Sequence, residues 1–127
     1  MRINNIFSLL VPKSQAQLEA EAQRAVLRKE AEIGGTVFGP VPNGVRREFF
    51  CLDVHTWIWH EEWIDETKQQ HVRTTRYDVR PHGIFKAQDG QPYRPLTSDE
   101  AVNLYFAVQE YNKAVDAYFI PRLAPSY

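Results

Sequence analysis

Residues 46 to 80 decide the fold, and they read RREFFCLDVHTWIWHEEWIDETKQQHVRTTRYDVR. β-Branched and aromatic residues dominate this stretch and polar turn residues divide it, which is typical of successive β-strands. We predict strands over 47–52, 56–64 and 71–80, with a hairpin connection over 65–70. Because short connections join antiparallel neighbours, the stretch predicts an antiparallel sheet.

The next residues continue the same pattern. The turn sequence PHG at 81–83 precedes a predicted fourth strand over 84–88, and Asp89-Gly90 is a strong hairpin signal. Residues 91–96 then return as a short edge strand, where the two prolines of this segment are tolerated.

A helix is predicted on each side of the sheet. Residues 14–33 lack proline and glycine, with Ser14 as the N-cap and Gly34-Gly35 as the terminator. The apolar stripe of this helix is mostly alanine, so we expect it to pack weakly, along the edge of the domain or against a partner or second copy. We therefore expect the rest of the chain to stay folded without residues 1–33.

The C-terminal helix has clearer signals. Thr97-Ser-Asp-Glu100 is a capping box, and Pro121 is predicted to end the helix. Its apolar residues recur at spacings of three and four, which predicts a wide face buried on the sheet. These residues are Ala101, Leu104, Tyr105, Val108, Tyr111, Val115, Tyr118 and Phe119.

These elements predict an α+β fold: an antiparallel β-meander of four to five strands packed by a C-terminal helix, with an N-terminal helix joined by a Gly/Pro loop. At 127 residues the chain forms one globular domain, with residues 1–44 as tail, helix and linker and residues 45–127 as sheet plus helix. The glycine-rich linker lacks the residue order of a phosphate-binding loop.

Composition narrows the function classes. The net charge is −1, and no segment is strongly basic, so we expect no nucleic-acid partner. One cysteine cannot form an intramolecular disulfide, which favours a cytoplasmic location. The apolar run over 6–11 is too short to span a membrane and reads as a tail that docks on the sheet or on a partner.

The most unusual feature is a row of indoles in the second strand. Alternation places Trp57, Trp59, Glu61 and Trp63 on one face and Ile58, His60, Glu62 and Ile64 on the other. Because both faces carry apolar groups, one can pack under the C-terminal helix while the indole row needs another cover. A turn centred near residues 67 and 68 would bring Arg73 and Arg76 near Glu62 and Trp59.

Two functions follow from this row. The first is a non-enzymatic interaction or accessory domain that binds a protein partner or a second copy through an aromatic and arginine face. The second is a small-ligand-binding or catalytic domain whose pocket lies between the sheet and the C-terminal helix, beside His60 or Tyr77. The residues of the first hypothesis are Trp57, Trp59, Trp63, Arg73 and Arg76.

Catalytic and metal-binding patterns are weak. His60 with Asp78 or Glu62 is the one acid–base arrangement that the predicted strands allow, and nothing in the sequence selects it. The potential metal ligands have no metal-site spacing on a strand, so we expect no metal and no cofactor. These ligands are Cys51, His55, His60, His71 and His82.

Three segments carry a resemblance to known proteins: REFFCLD at 47–53, HTWIWHEEW at 55–63 and TTRY at 74–77. With these segments the chain resembles, over about residues 30 to 118, small proteins of Saccharibacteria and related candidate-phyla bacteria. The resemblance implies a cell-associated bacterial protein and assigns no activity, cofactor or catalytic residue.

Overall fold

A computed structural model describes residues 14–123 and shows the α+β meander that the sequence predicts. The elements in chain order are α1 (Gln15–Gly35), β1 (Arg46–Asp53), β2 (Thr56–Ile64), β3 (Gln70–Arg80), β4 (Gly83–Gln88), β5 (Arg94–Pro95) and α2 (Ser98–Leu123). All five strands pair antiparallel in sequence order. The apolar run over 6–11 lies outside the described residues.

The β2–β3 hairpin fixes the register of the sheet. Trp59 pairs with Thr75, and Glu61 pairs with Arg73. This register differs by one residue from the predicted one, because the loop closes on the Asp65 side chain, which accepts hydrogen bonds from the amides of Thr67 (2.8 Å) and Gln69 (3.0 Å). We call the face of the sheet that carries Trp57, Trp59 and Trp63 the indole face. A one-residue shift exchanges the two faces of a strand, so Arg73 lies on the indole face and Arg76 on the opposite face, the reverse of the predicted placement.

The indole face is the one that helix α2 covers. The buried core is formed by Phe49 of β1 together with Leu104, Ala107 and Tyr111 of α2, and Trp57 and Trp59 pack against it. The expectation that the indole row would need a cover other than the C-terminal helix is therefore wrong for these two residues. The face with Ile58 and Ile64 is the outer face of the sheet.

Helix α2 begins where the sequence predicts, but it differs from the prediction in its end and in the width of its buried face. The capping box is present: the Glu100 amide donates to Thr97 Oγ1 (3.2 Å), and the Thr97 amide donates to the Glu100 carboxylate (3.1 Å). The helix continues through Pro121 to Leu123, although the proline cannot donate a backbone hydrogen bond. The buried face is also narrower than predicted, because Tyr105 is 60% exposed.

Helix α1 lies against the edge strand β1, as the sequence suggests, and it reaches the core. Ala31, Gly34 and Gly35 are buried, and Glu30 accepts a hydrogen bond from the Tyr111 hydroxyl of α2 (3.2 Å). The helix therefore covers the free edge of β1, which would otherwise present unpaired backbone groups. Neither described helix is long and apolar enough to cross a membrane.

Candidate functional site

A cavity of about 170 Å³ lies between the indole face of the sheet and the first turns of α2. Its wall combines aromatic rings from the sheet and the α1–β1 loop with small and polar side chains from the helix. The lining residues are Phe38, Phe49, Trp59, Tyr77, Glu100, Asn103, Leu104 and Ala107. The second hypothesis from the sequence placed a pocket between the sheet and the C-terminal helix, beside His60 or Tyr77. Trp59 and Tyr77 line this cavity, and His60 does not.

Phe38 covers one side of the cavity. Its ring stands edge-on to Trp59, with centroids 4.2 Å apart, and edge-on to Phe49, with centroids 5.5 Å apart. The residue belongs to the Gly/Pro loop, which turns back toward β1 after Gly39 at a φ of +106° that favours glycine. Sequence reasoning treated this loop as a linker and missed Phe38, although an aromatic residue between glycines in a polar loop is a usable signal.

Two polar groups on the wall are available to bind a ligand. Among the described residues, neither the Tyr77 hydroxyl nor the Asn103 side-chain amide makes a hydrogen bond to the protein. Burial raises the pKa of the Tyr77 phenol, and the nearby Glu100 carboxylate adds to that effect. Tyr77 therefore stays neutral at ordinary pH and can donate or accept one hydrogen bond.

Glu100 is held in place by four hydrogen-bond donors. It contacts the Lys86 ammonium of β4, accepts from both terminal nitrogens of Arg94 (3.2 and 3.5 Å) and accepts from the Thr97 amide. The Lys86 hydrogen bond is the main reason that the pKa of Glu100 falls to about 2. The carboxylate is ionised at neutral pH and its lone pairs are occupied.

At Trp59, a second charged cluster adjoins the cavity wall. The Trp59 indole N–H donates to Glu61 Oε1 (2.8 Å), and the Arg47 guanidinium lies over the indole ring, 5.5 Å from its centroid. Arg47 is largely buried, and its Nε atom has no hydrogen-bond partner, although Glu61 Oε2 lies 3.6 Å away. Arg47 therefore keeps a buried donor in this cluster.

The five residues of the predicted interaction face are divided among four environments. Trp57 is stacked on Phe49 in the core (5.1 Å between centroids), and Trp59 lines the cavity. Trp63 is half-buried beyond the helix, where it stacks on His71 and lies under the exposed Arg73. Arg76 is exposed on the outer face, so the five side chains do not form one continuous surface.

The predicted acid–base arrangement does not reach the cavity. His60 lies on the outer face, where it contacts Thr74 (2.7 Å) and Glu62 (3.5 Å), and Asp78 pairs instead with Arg80. Cys51 is half-buried, and its thiol has a raised pKa because of burial. Within residues 14–123, no three His, Cys, Asp or Glu side chains converge in a way that could hold a metal ion.

No protein-family model, curated protein or solved structure matches this chain. We therefore infer function from the chemistry of the cavity and of the two charged clusters beside it.

Proposed function

We propose that the protein is a small-ligand-binding domain whose ligand occupies the cavity under α2. One observation carries this proposal: four aromatic side chains converge there with the Tyr77 hydroxyl and the exposed Asn103 amide, which make no hydrogen bond to other described residues. An apolar pocket with a few convergent polar groups is the usual form of a small-molecule site. The aromatic residues are Phe38, Phe49, Trp59 and Tyr77, and the polar groups are on Tyr77 and Asn103.

The size of the cavity limits the ligand. A cavity of about 150 Å³ holds benzene, so a volume of about 170 Å³ accepts one flat ring with a short substituent. The aromatic walls favour a ring, because offset and edge-on contacts between rings are attractive beyond the area they bury. The polar substituent would face Tyr77 and Asn103.

The residues that line the cavity are better suited to ligand binding than to catalysis. Glu100 is the carboxylate in the cavity wall, and Lys86, Arg94 and Thr97 already occupy its oxygens. A carboxylate held in this way orients neighbouring groups and is poorly placed to take a proton from a ligand. We therefore propose a binding function for this domain.

A titration with benzyl alcohol, followed by amide and indole NMR signals, tests the proposal. We expect saturable shifts of Trp59, Asn103 and Leu104, with much smaller shifts of the Trp63 indole. Ala107→Leu should abolish these shifts by filling the cavity. Ala117→Leu is the matched control, because it adds the same volume at an exposed site on the same helix.

The pattern of shifts decides the outcome. Shifts confined to the exposed apolar residues of α1, or shifts that survive Ala107→Leu, would contradict a site in the cavity. Circular dichroism of both variants establishes whether the fold is retained. If Ala107→Leu unfolds the protein, Asn103→Ala provides the second variant, since it removes an exposed polar group of the wall and should weaken binding.

A protein-interaction function is the second candidate. It is supported by Trp63 and Arg73, which remain accessible together on the inner face, and by exposed Leu18 and Val26 on α1. In this case light scattering should show a dimer, or Trp63→Ala should weaken a specific complex.

We also propose that the protein is located in a bacterial cytoplasm. The single cysteine and the resemblance described above support this location.

A further inference from the structure

We infer that the ligand of the cavity is an uncharged aromatic molecule with a hydroxyl or carboxamide group that both donates and accepts hydrogen bonds. The inference rests on the proposed function and adds the chemical class of the ligand. It is supported by the charge of the cavity wall, the contacts of the Glu100 carboxylate and the polar groups of Tyr77 and Asn103.

The cavity wall gives an anion no opposite charge to pair with. Among the described residues, Glu100 is the one lining residue that carries a charge, and its charge is negative. The other lining side chains are aromatic or aliphatic, apart from the neutral amide of Asn103. Burying a charge costs a large free energy unless an opposite charge or strong hydrogen bonds compensate it. An anion would therefore lose its hydration and gain no cationic side chain from the wall.

The contacts of Glu100 disfavour a cation as well. Its carboxylate already contacts the Lys86 ammonium and accepts hydrogen bonds from Arg94 and from the Thr97 amide. A cationic ligand would have to displace Lys86, whose side chain is only 15% exposed, from this carboxylate. Leaving a largely buried charge without its partner is strongly destabilising. The carboxylate therefore serves the link between β4 and α2 and is not available to a ligand.

Two neutral polar groups of the wall define the substituent of the ligand. The Tyr77 hydroxyl can donate and accept hydrogen bonds, and the Asn103 amide carries both N–H donors and a carbonyl acceptor. Tyr77 is half-buried, so its hydroxyl is less accessible to water than the exposed Asn103 amide. A hydroxyl or carboxamide on the ligand can pair with either group in either direction. A hydrocarbon would leave the Tyr77 hydroxyl without a partner, which is unfavourable at a buried site.

A comparison of benzamide, benzoate and benzamidine with the intact protein at neutral pH tests the charge of the ligand. The three molecules have the same ring and nearly the same shape, and they carry neutral, negative and positive substituents. We expect benzamide to bind about tenfold or more tightly than either charged molecule, because the cavity compensates neither charge. The NMR shifts of the Trp59 indole and the Leu104 amide measure the three affinities.

Tyr77→Phe tests the hydrogen bond, with toluene as a ligand that has the ring and no polar group. The substitution should reduce benzamide affinity about fivefold and leave toluene affinity nearly unchanged. Tyr105→Phe is the matched control, because it removes a hydroxyl from an exposed side chain of α2 outside the cavity and should alter neither affinity.

The outcomes separate the inference from the proposed function. A charged molecule or toluene that binds as tightly as benzamide would overturn the inference while the proposed binding function stands. A benzamide affinity that Tyr77→Phe leaves unchanged would do the same. If neither toluene nor any of the three polar molecules binds, both the inference and the proposed function fail.

Discussion

Gly34 and Gly35 are explained in one way by the sequence and in another way by the structure. The sequence indicates a helix terminator, and helix α1 does end at Gly35. The structural reason for the glycines is a close approach, because a Cβ atom on Gly34 would lie 1.8 Å from the Phe49 carbonyl oxygen, and one on Gly35 would lie 2.0 Å from that of Arg47. A single sequence does not reveal such a contact, since it requires the path of β1.

Gly34→Ala should therefore destabilise the protein, although alanine is favoured over glycine in a helix by about 1 kcal/mol. The clash is with backbone, which cannot rotate away, so we expect a loss of about 3 kcal/mol in the free energy of unfolding. Urea denaturation of both proteins measures this difference. Gln23→Ala, at an exposed site of α1, is the control and should be nearly neutral. A Gly34→Ala protein as stable as wild type would show that α1 does not lie this close to β1.

At the scale of elements, short sequence patterns predicted helix ends correctly, whereas contacts between separate elements could not be predicted. The capping box at Thr97 is encoded in four consecutive residues, and it forms as predicted. The β2–β3 register was wrong by one residue, because it depends on how Asp65 closes the loop and on Lys68 adopting a φ of +64°. For the same reason the salt bridge of Glu100 with Lys86 could not be foreseen, since it joins β4 to α2.

Glu100→Gln tests that salt bridge through its dependence on pH. The pKa of Glu100 is lowered from 4.5 to about 2, so its ionised form stabilises the fold above pH 4.5, and this contribution is lost as the pH falls toward 2. Glutamine can keep the capping box but carries no charge. We expect the variant to be less stable than wild type at pH 7, with the difference shrinking between pH 4.5 and 2.

Urea midpoints at pH 7, 4 and 3 measure this effect. Glu110→Gln makes the same charge change on an exposed part of α2 and is the control. A stability difference that stays constant across this range would mean that the loss in Glu100→Gln comes from packing or capping and not from charge.

For the whole molecule, the order of elements was predictable and the arrangement of its layers was not. Turn signals and helix caps define the α+β meander, because each lies within a few residues of the chain. Both faces of β2 carry apolar side chains, so alternation alone cannot say that α2 covers Trp57 and Trp59. The cavity forms because α2 covers the indole face and because Phe38, which lies in a loop, packs beside it.

The contacts of α1 lead us to expect that deleting residues 1–33 will destabilise the whole domain, contrary to what the sequence suggested. The deletion removes buried Ala31 and the Glu30 partner of Tyr111, and it uncovers the edge of β1. An uncovered edge strand pairs readily with another chain, so we expect weaker β-sheet signal by circular dichroism and a larger mass by light scattering. Deletion of residues 1–13 alone is the control, because it keeps all of α1 and so separates the effect of the helix from that of the residues before it. A chain lacking residues 1–33 that stays monomeric, with the β-sheet signal of the full chain, would show that α1 is not needed to protect that edge.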